Sequence, residues 1–457
     1  MASFDTLFHA PFVKTGVTEP LMHADDMRRI DRWLGVPTCA ILTVARRLAG
    51  LIPGRSKKER PESILFIKLA EQGSTVLAAS AIQAAVVRVG AQRTYFLCFE
   101  ENRFILDAMD LIPRENVIVI RASGLVGTIL STLKALRTMR RMQIDVAIDL
   151  EFFARSTAAI GYLSGARSRI GLHAGPDEGP WRGDLLTHRL RYSPHLHTSR
   201  LFRLQVEAID TDPSILPAIE LVPPQADEAI PPIRSDDHEI ATVRSILDQA
   251  AGIDTASQDA GDLVLLNANC SDLLPLRAWP RDRYIKLARR LLAHDPTLRI
   301  GFTGAPAEAP GAEEMVAAIG DSRCFILAGR TSLRELIVLY GLADLLVTND
   351  SGPAHFASLT TIDVITLFGP EHPKLFAARG PRNHVLHAGL ACSPCVSALN
   401  NRTTPCRDNL CMQAISVDEV FQTTLRVLGS RARGDQPLSV LDIETNPIDL
   451  GRATPVR

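Results

Sequence analysis

Leu345-Leu346-Val347-Thr348-Asn349-Asp350-Ser351-Gly352-Pro353-Ala354-His355 spells a strand, a turn and a helix start, and that order decides the fold. The first residues form a continuous apolar run, the pattern of a parallel strand covered on both faces. Asp350 or Ser351 can cap a helix, and Pro353 suits its first turn. Such a turn leaves backbone N–H groups free at the positive end of a helix dipole, which favours phosphate oxygens. Gly352 lets a ligand come close to the backbone. Ser351 adds a hydroxyl donor, Asp350 can accept hydrogen bonds from sugar hydroxyls, and His355 lies about one helical turn further in. Taken alone, the string fits a plain helix N-terminus equally well, and both readings stay open at this point.

The same alternation runs outward from this stretch. Upstream, 263–267 reads as a strand, 281–294 as a helix, 299–303 as a strand, 313–319 as a helix, 324–327 as a strand and 332–341 as a helix. Downstream come a strand at 364–368 and a final helix at 416–428. An earlier series has strands at 64–67, 94–99, 117–120 and 146–150, with a loop at 70–74 and a helix at 75–89 after the first of them. Strands alternating with helices imply parallel sheets joined by right-handed crossovers. The proline- and acid-rich stretch 221–232 separates the two series. The expected organisation is an N-terminal extension at 1–60, a Rossmann-like domain at 61–222, a second at 223–430 and a loose tail at 431–457. The expected class is α/β, with a ligand cleft between the carboxyl ends of the two sheets.

Composition narrows the partners. The 457 residues are 46% apolar and 22% charged with a net charge of −1, which speaks against a strongly basic nucleic-acid binder. Aromatic residues make up 5%, too few for base-stacking platforms. Cys39, Cys98, Cys270 and Cys324 are scattered in apolar context, as expected for reduced, buried thiols in a cytoplasmic protein. The first residues, MASFDTLFHAPF, lack the basic start and apolar core of a secretory signal. No apolar run reaches the ~18 residues of a membrane span. The extension does place Trp33, Leu34, Ile41, Leu42, Val44, Leu48, Leu51 and Ile52 near Arg46, Arg47, Arg55, Lys57, Lys58 and Arg60. Apolar contact combined with positive charge suits peripheral docking on an anionic membrane surface. Packing against the first domain as an ordinary helix is the alternative.

Several motifs in order resemble glycosyltransferase family 9, the family of the ADP-heptose:lipopolysaccharide heptosyltransferases. They are the stretch from Asp350 to His355, Phe368-Gly369-Pro370, Cys392-Ser393-Pro394-Cys395 and Arg277-Ala278-Trp279-Pro280. Thr303-Gly304 with Glu308 and the first-domain segment from Arg155-Ser156 to Ile170-Gly171 add to them. The resemblance covers roughly 62 to 430. It implies a GT-B fold, a nucleotide-diphosphate sugar donor in the C-terminal domain and an acceptor in the N-terminal one. By this resemblance Asp350, Ser351, Gly352, Pro353 and His355 hold the donor, Arg277 neutralises its phosphate, and Glu308 with Thr303 lies beside the nucleoside. Asn267, at a strand end facing the same cleft, is a further donor contact.

One departure concerns the base. Family members carry Gly-Asp in the first loop, where this chain has Gly73-Ser74. A serine cannot replace a carboxylate that accepts a proton near neutral pH. Glu71, in the same loop, is the substitute, with Asp149 and Glu151 at another strand end as alternatives. Cys392, Cys395, Cys406 and Cys411 fit either a structural zinc site or packed thiols, and neither makes them catalytic. The expected chemistry is an inverting, metal-independent glycosyl transfer with no cofactor, to a bacterial surface glycan or lipid-linked acceptor. The rivals are a nucleotide-sugar epimerase of related fold and a non-catalytic sugar-nucleotide or glycan-binding protein.

Overall fold

The computed structural model describes residues 31–49, 60–174, 180–216, 219, 232–252, 261–270, 274–400 and 402–433. The boundary stretch 221–231, the basic run 55–58 and the tail from 434 onward lie outside the described residues.

The apolar runs become interior strands. The first sheet contains β1 (Ile64–Ile67), β2 (Thr94–Phe99), β3 (Val117–Ile120), β4 (Val146–Asp149), β5 (Ser168–Leu172) and β6 (His188–Leu190). Their order is β3-β2-β1-β4-β5-β6. The second contains β7 (Leu263–Asn267), β8 (Arg299–Phe302), β9 (Cys324–Ile326), β10 (Leu345–Asn349), β11 (Asp363–Phe368) and β12 (Asn383–His387), in the order β12-β11-β10-β7-β8-β9. Every recorded strand pairing is parallel. Each order reverses once, between β1 and β4 and between β7 and β10. Open α/β sheets bind ligands outside the carboxyl ends at such a reversal.

Alternate strand residues point to opposite faces. In the first sheet Leu65, Ile67 and Ala147 pack with Ala135, Leu136 and Met139 of the helix Gly124–Arg141 and with Ile160 of the helix Arg155–Leu163. Phe66, Val146 and Ile148 face the other way, toward the helices Ala79–Val89 and Glu100–Met109. That second core continues through Leu263, Leu265, Ala354 and Phe356 of the other half, so the two sheets are joined by buried apolar contact.

Three local differences from the sequence reading have plain causes. The loop expected at 70–74 is shorter: Glu71 takes φ 69°, the chain turns there, and a helix already runs over Gln72–Leu77. The outlying strands β5 and β6 and the edge strand β12 were not anticipated, because Arg169, Arg189 and His384 interrupt their apolar pattern. The helix Asp237–Ala251 was also missed, although Asp236 and Glu239 form a reciprocal capping box at its start.

The N-terminal extension contains the helix Gly35–Ala49. Pro37 is tolerated because it lies in the first turn. Gly35, Cys39 and Thr43 make a narrow buried stripe, with Cys39 packed on Ala158 and Leu185. Asp31 accepts hydrogen bonds from the backbone N–H groups of Arg155 and Ser156, and Arg46 pairs with Asp184. Among the described residues no helix is long and apolar enough to cross a membrane.

Candidate active site

β10 ends at Asn349, and its side chain organises the turn that follows. Asn349 Oδ1 accepts from Trp279 N at 3.0 Å and from Tyr284 Oη at 3.2 Å, while its Nδ2 donates to Asn269 O at 3.0 Å. Trp279 is fully buried and donates its indole N–H to Ile415 O at 2.9 Å. These bonds hold the turn Pro275–Arg277 against the end of β10 and bring Arg277 toward Asp350, 3.9 Å from Nη1 to Oδ2.

Arg277 also meets Glu371, which follows Phe368-Gly369-Pro370 at the end of β11, at 3.3 Å. Glu371 is 2% exposed and was not anticipated; the quoted motif stops one residue short of it. Burial, and then the neighbouring Glu371, push the Asp350 carboxyl up to about 8, against the pull of Arg277. Asp350 therefore favours its protonated form, which can donate a hydrogen bond.

Ser351 caps the helix Gly352–Ala357 only through its backbone; its hydroxyl donates to Asn349 O at 3.3 Å. Pro353 occupies the first turn, as expected. His355 is buried, and burial, with His197 and Arg277 nearby, lowers it to about 3, so the imidazole is neutral. His355 reaches across the cleft to the other half. A Cβ at Gly73 would sit 2.6 Å from His355 Cδ2, so only glycine fits there without displacement.

Glu71 stands on the opposite wall. Its carboxylate receives Ser74 Oγ at 3.2 Å, lies 3.5 Å from Lys68 Nζ and pairs with Arg402, 331 residues away. Burial raises the carboxyl, but Arg402, then Lys68, Arg277 and the Ser74 hydroxyl outweigh it and hold it at about 2. Arg402 also approaches Glu371 Oε1 at 3.4 Å, and its guanidinium lies over Phe152 from the first half and Phe376 from the second. It thus links both halves. No periodic signal points to Arg402, which sits in the cysteine-bearing loop.

Lys68 is fully buried and donates to Glu151 at 3.1 Å and to Ala70 O at 2.8 Å. Glu151 accepts in addition from Leu69 N and Ala70 N, so its carboxylate holds the Glu71 loop in place. Lys68, Arg277 and Arg402 thus alternate with the carboxyls of Glu71, Glu151 and Glu371.

Asp149 is placed differently. It is 3% exposed and accepts from Thr157 Oγ1, from Glu151 N and from Arg182. These donors hold it on the face of the helix Arg155–Leu163, away from Glu71. Asn267 donates to Thr303 O and Oγ1 and accepts from Asn269 N, which fastens β7 to the end of β8. Glu308 accepts from Ala305 N in the turn that follows β8. Asn267, Thr303 and Glu308 form one group at the β7–β8 strand ends. Arg277, Asp350, His355, Glu371, Arg402 and Glu71 form the other, where the halves meet.

Asp350 Oδ2, Glu371 Oε1, Arg277 Nε and His355 Nδ1 of that second group are buried without a hydrogen-bond partner, apart from the bond that a protonated Asp350 gives Glu371. Buried polar atoms are otherwise nearly always paired, so a group of residues carrying such atoms where the halves meet is a candidate place for a polar ligand. Among the described residues no group of three or more His, Cys, Asp or Glu side chains is arranged to hold a metal ion. All eight cysteines are free thiols; Cys39, Cys98, Cys324 and Cys411 are buried, Cys270 is only half-buried, and Cys392 is exposed.

Comparison with known proteins agrees with this architecture. Lipooligosaccharide heptosyltransferase 2 of Haemophilus influenzae is 33% identical over 103 residues, 22% of this chain and 29% of that protein. Lipopolysaccharide heptosyltransferase 2 of Escherichia coli K12 is 30% identical over 102 residues, again 22% and 29%. The matched part thus spans less than a third of those relatives' length. The structure of E. coli ADP-heptose lps heptosyltransferase II superposes with a TM-score of 0.61 at 18% identity, over 81% of this chain and 99% of that one. A glycosyl transferase family 9 structure from Veillonella parvula gives 0.62 at 15% identity, over 82% and 99%. The shared fold is GT-B. Residues 132–404, more than half of the chain, match the family model for glycosyltransferase family 9 (heptosyltransferase), and the chain belongs to that family.

Proposed function

We propose that this protein transfers a heptose or similar sugar from a nucleotide-diphosphate donor to a bacterial surface glycan or its lipid-linked precursor, with inversion. The observation that carries the proposal is the buried polar group of Asp350, Glu371, Arg277 and His355, whose Arg277 Nε and His355 Nδ1 have no partner. They lie at the β7/β10 reversal of a GT-B fold. Residues 61–222 form the acceptor side in this reading and residues 223–430 the donor side. The names of the heptosyltransferase relatives support the sugar and the acceptor class.

Arg277 and the backbone N–H groups at Gly352 stabilise the diphosphate as it leaves, with neutral His355 as a hydrogen-bond donor and Ser351 joining it when its hydroxyl turns from Asn349 O. A preorganised arginine and N–H groups provide this stabilisation without requiring a divalent ion. Neutral Asp350 donates to, or accepts from, a sugar hydroxyl. Asn267, Thr303 and Glu308 border the nucleoside. Glu71 accepts the acceptor's proton. A carboxylate held at about 2 is a weak base. It suffices when the proton leaves late, because an oxygen already bonding to the anomeric carbon is strongly acidic. The N-terminal helix Gly35–Ala49 keeps the enzyme on the anionic membrane surface that carries the acceptor.

The test is a thermal-shift screen of nucleoside diphosphates and sugar nucleotides, followed by product analysis with the best donor. Glycosylated acceptor with released nucleoside diphosphate is expected. Isomerised sugar nucleotide without acceptor, or binding without turnover across donor and acceptor panels, would replace this reading.

A further inference from the structure

The helix Gly124–Arg141 leaves apolar side chains in solvent on its outer face. Val126 is 69% exposed, and Ile129, Leu130 and Leu133 are exposed beside it, although Ala135, Leu136 and Met139 bury the inner face. An apolar patch of this kind on an otherwise charged surface marks a contact site. The helix contains no acidic residue, and its second half carries Lys134, Arg137, Arg140 and Arg141. No ion pair is recorded for Lys134, Arg137 or Arg141 among the described residues.

The helix Gly35–Ala49 has the same design. It buries one stripe and exposes Ile41 (68%), Val44 and Leu48, with Trp33 and Leu34 exposed just before it. It contains no acid, and Arg46 and Arg47 lie in its last turn, both near Asp184.

The fold sets these two helices on one side of the molecule. The helices Gly124–Arg141 and Arg155–Leu163 cover the same face of the first sheet, through Leu136, Met139 and Ile160, and Arg140 Nε bonds Leu163 O at 2.8 Å. The helix Gly35–Ala49 packs on Arg155–Leu163, with Gly35 against Arg155 and Cys39 against Ala158. It therefore runs in the same direction as its neighbour. Helices that follow parallel strands start at the carboxyl edge of the sheet, so both outer helices begin at the edge where the cleft opens. Their apolar starts, Trp33-Leu34 and Leu125-Val126, lie at that edge, and their basic ends lie at the far edge.

The geometry points to a two-helix docking surface for an anionic lipid bilayer, formed by Gly35–Ala49 together with Gly124–Arg141. It rests on the membrane-surface reading above and adds a second, independent contact within the first sheet's own cover. Two acid-free helices that expose apolar side chains and carry basic residues complement a surface that is apolar beneath an anionic layer. Their shared side lays the first half of the molecule along the lipid in which a lipid-linked acceptor is presented.

The experiment is co-sedimentation of the full chain with phosphatidylethanolamine–phosphatidylglycerol vesicles and with phosphatidylcholine vesicles. The variants are V126E/L130E and I41E/V44E, with donor binding read by thermal shift in each. The expected result is binding of the unmodified chain to the anionic vesicles and a loss of about tenfold or more in partitioning for each variant, with donor binding unchanged. V126S/L130S, which removes apolar surface without adding charge, provides the same reading if glutamates disturb the helix. Partitioning of V126E/L130E and V126S/L130S equal to that of the unmodified chain overturns the two-helix surface, and a loss confined to I41E/V44E leaves N-terminal docking alone. A chain that binds no vesicles, and is a dimer that V126E/L130E makes monomeric by light scattering, overturns it in favour of self-association.

Discussion

Replacing Glu71 by glutamine separates the proposed base from the ionic network that holds it. Glu71 lies between Arg402, Lys68 and the Ser74 hydroxyl, and the span from its ordinary 4.5 to about 2 is worth ~3 kcal/mol of preference for the ionised form. Because the folded value is depressed, that stability is present above about 4.5 and is lost as pH falls toward 2. Glutamine keeps the shape and a hydrogen-bond acceptor but removes the charge that pairs with Arg402 and Lys68, so the folding cost at pH 7 is about 3–5 kcal/mol. The catalytic cost of losing a general base is about a hundredfold or more, ~2.7 kcal/mol on the barrier. Donor affinity should barely move, because Glu71 lies on the wall opposite Asp350 and His355. The assay is turnover with saturating donor and acceptor, alongside donor Kd by calorimetry and a thermal melt. Near-normal kcat in a folded Glu71→Gln variant would refute Glu71 as the base. Asp149 would be a poor successor, since Thr157, Arg182 and Glu151 N already surround it.

Three further outcomes are expected. Asp350 is neutral below about 8, so donor binding should weaken as pH rises through that value and a second anion appears beside Glu371; in Asp350→Asn the dependence should vanish, and an unchanged pH profile of Kd would count against it. Asp350→Ala and His355→Ala should each weaken donor binding or turnover with the fold intact by circular dichroism, whereas unaltered donor Kd and rate in both would remove them from the site. Gly73→Ala should cost about 1–3 kcal/mol by overpacking against His355 across the cleft, visible as a lower Tm together with a loss of turnover; a variant with the parent's Tm and rate would show that the two walls separate freely.

The apolar runs at 64–67, 94–99, 263–267 and 345–349 reveal their strands because a parallel strand covered on both faces has no reason to alternate. The stretch from Asp350 to His355 was legible for a related reason: a strand end, glycine, proline and a helix start follow one another in the chain, so a local pattern carries the local geometry. β5, β6 and β12 were not legible, since Arg169, Arg189 and His384 break their apolar runs and find their polar partners only in the folded chain. The site's electrostatics were beyond any local pattern. Arg402 meets Glu71 across 331 positions, Glu371 meets Arg277 across 94, and Gly73 is required by a histidine in the other half. Asp149 and Glu71 look alike in the sequence as carboxylates at strand ends. Only packing separates them, by surrounding Asp149 with donors under the helix Arg155–Leu163 and leaving Glu71 on the cleft wall. Protonation follows the same division: the sequence determines which residues can ionise, but burial and neighbouring charge, which exist only after folding, put Asp350 near 8 and Glu71 near 2.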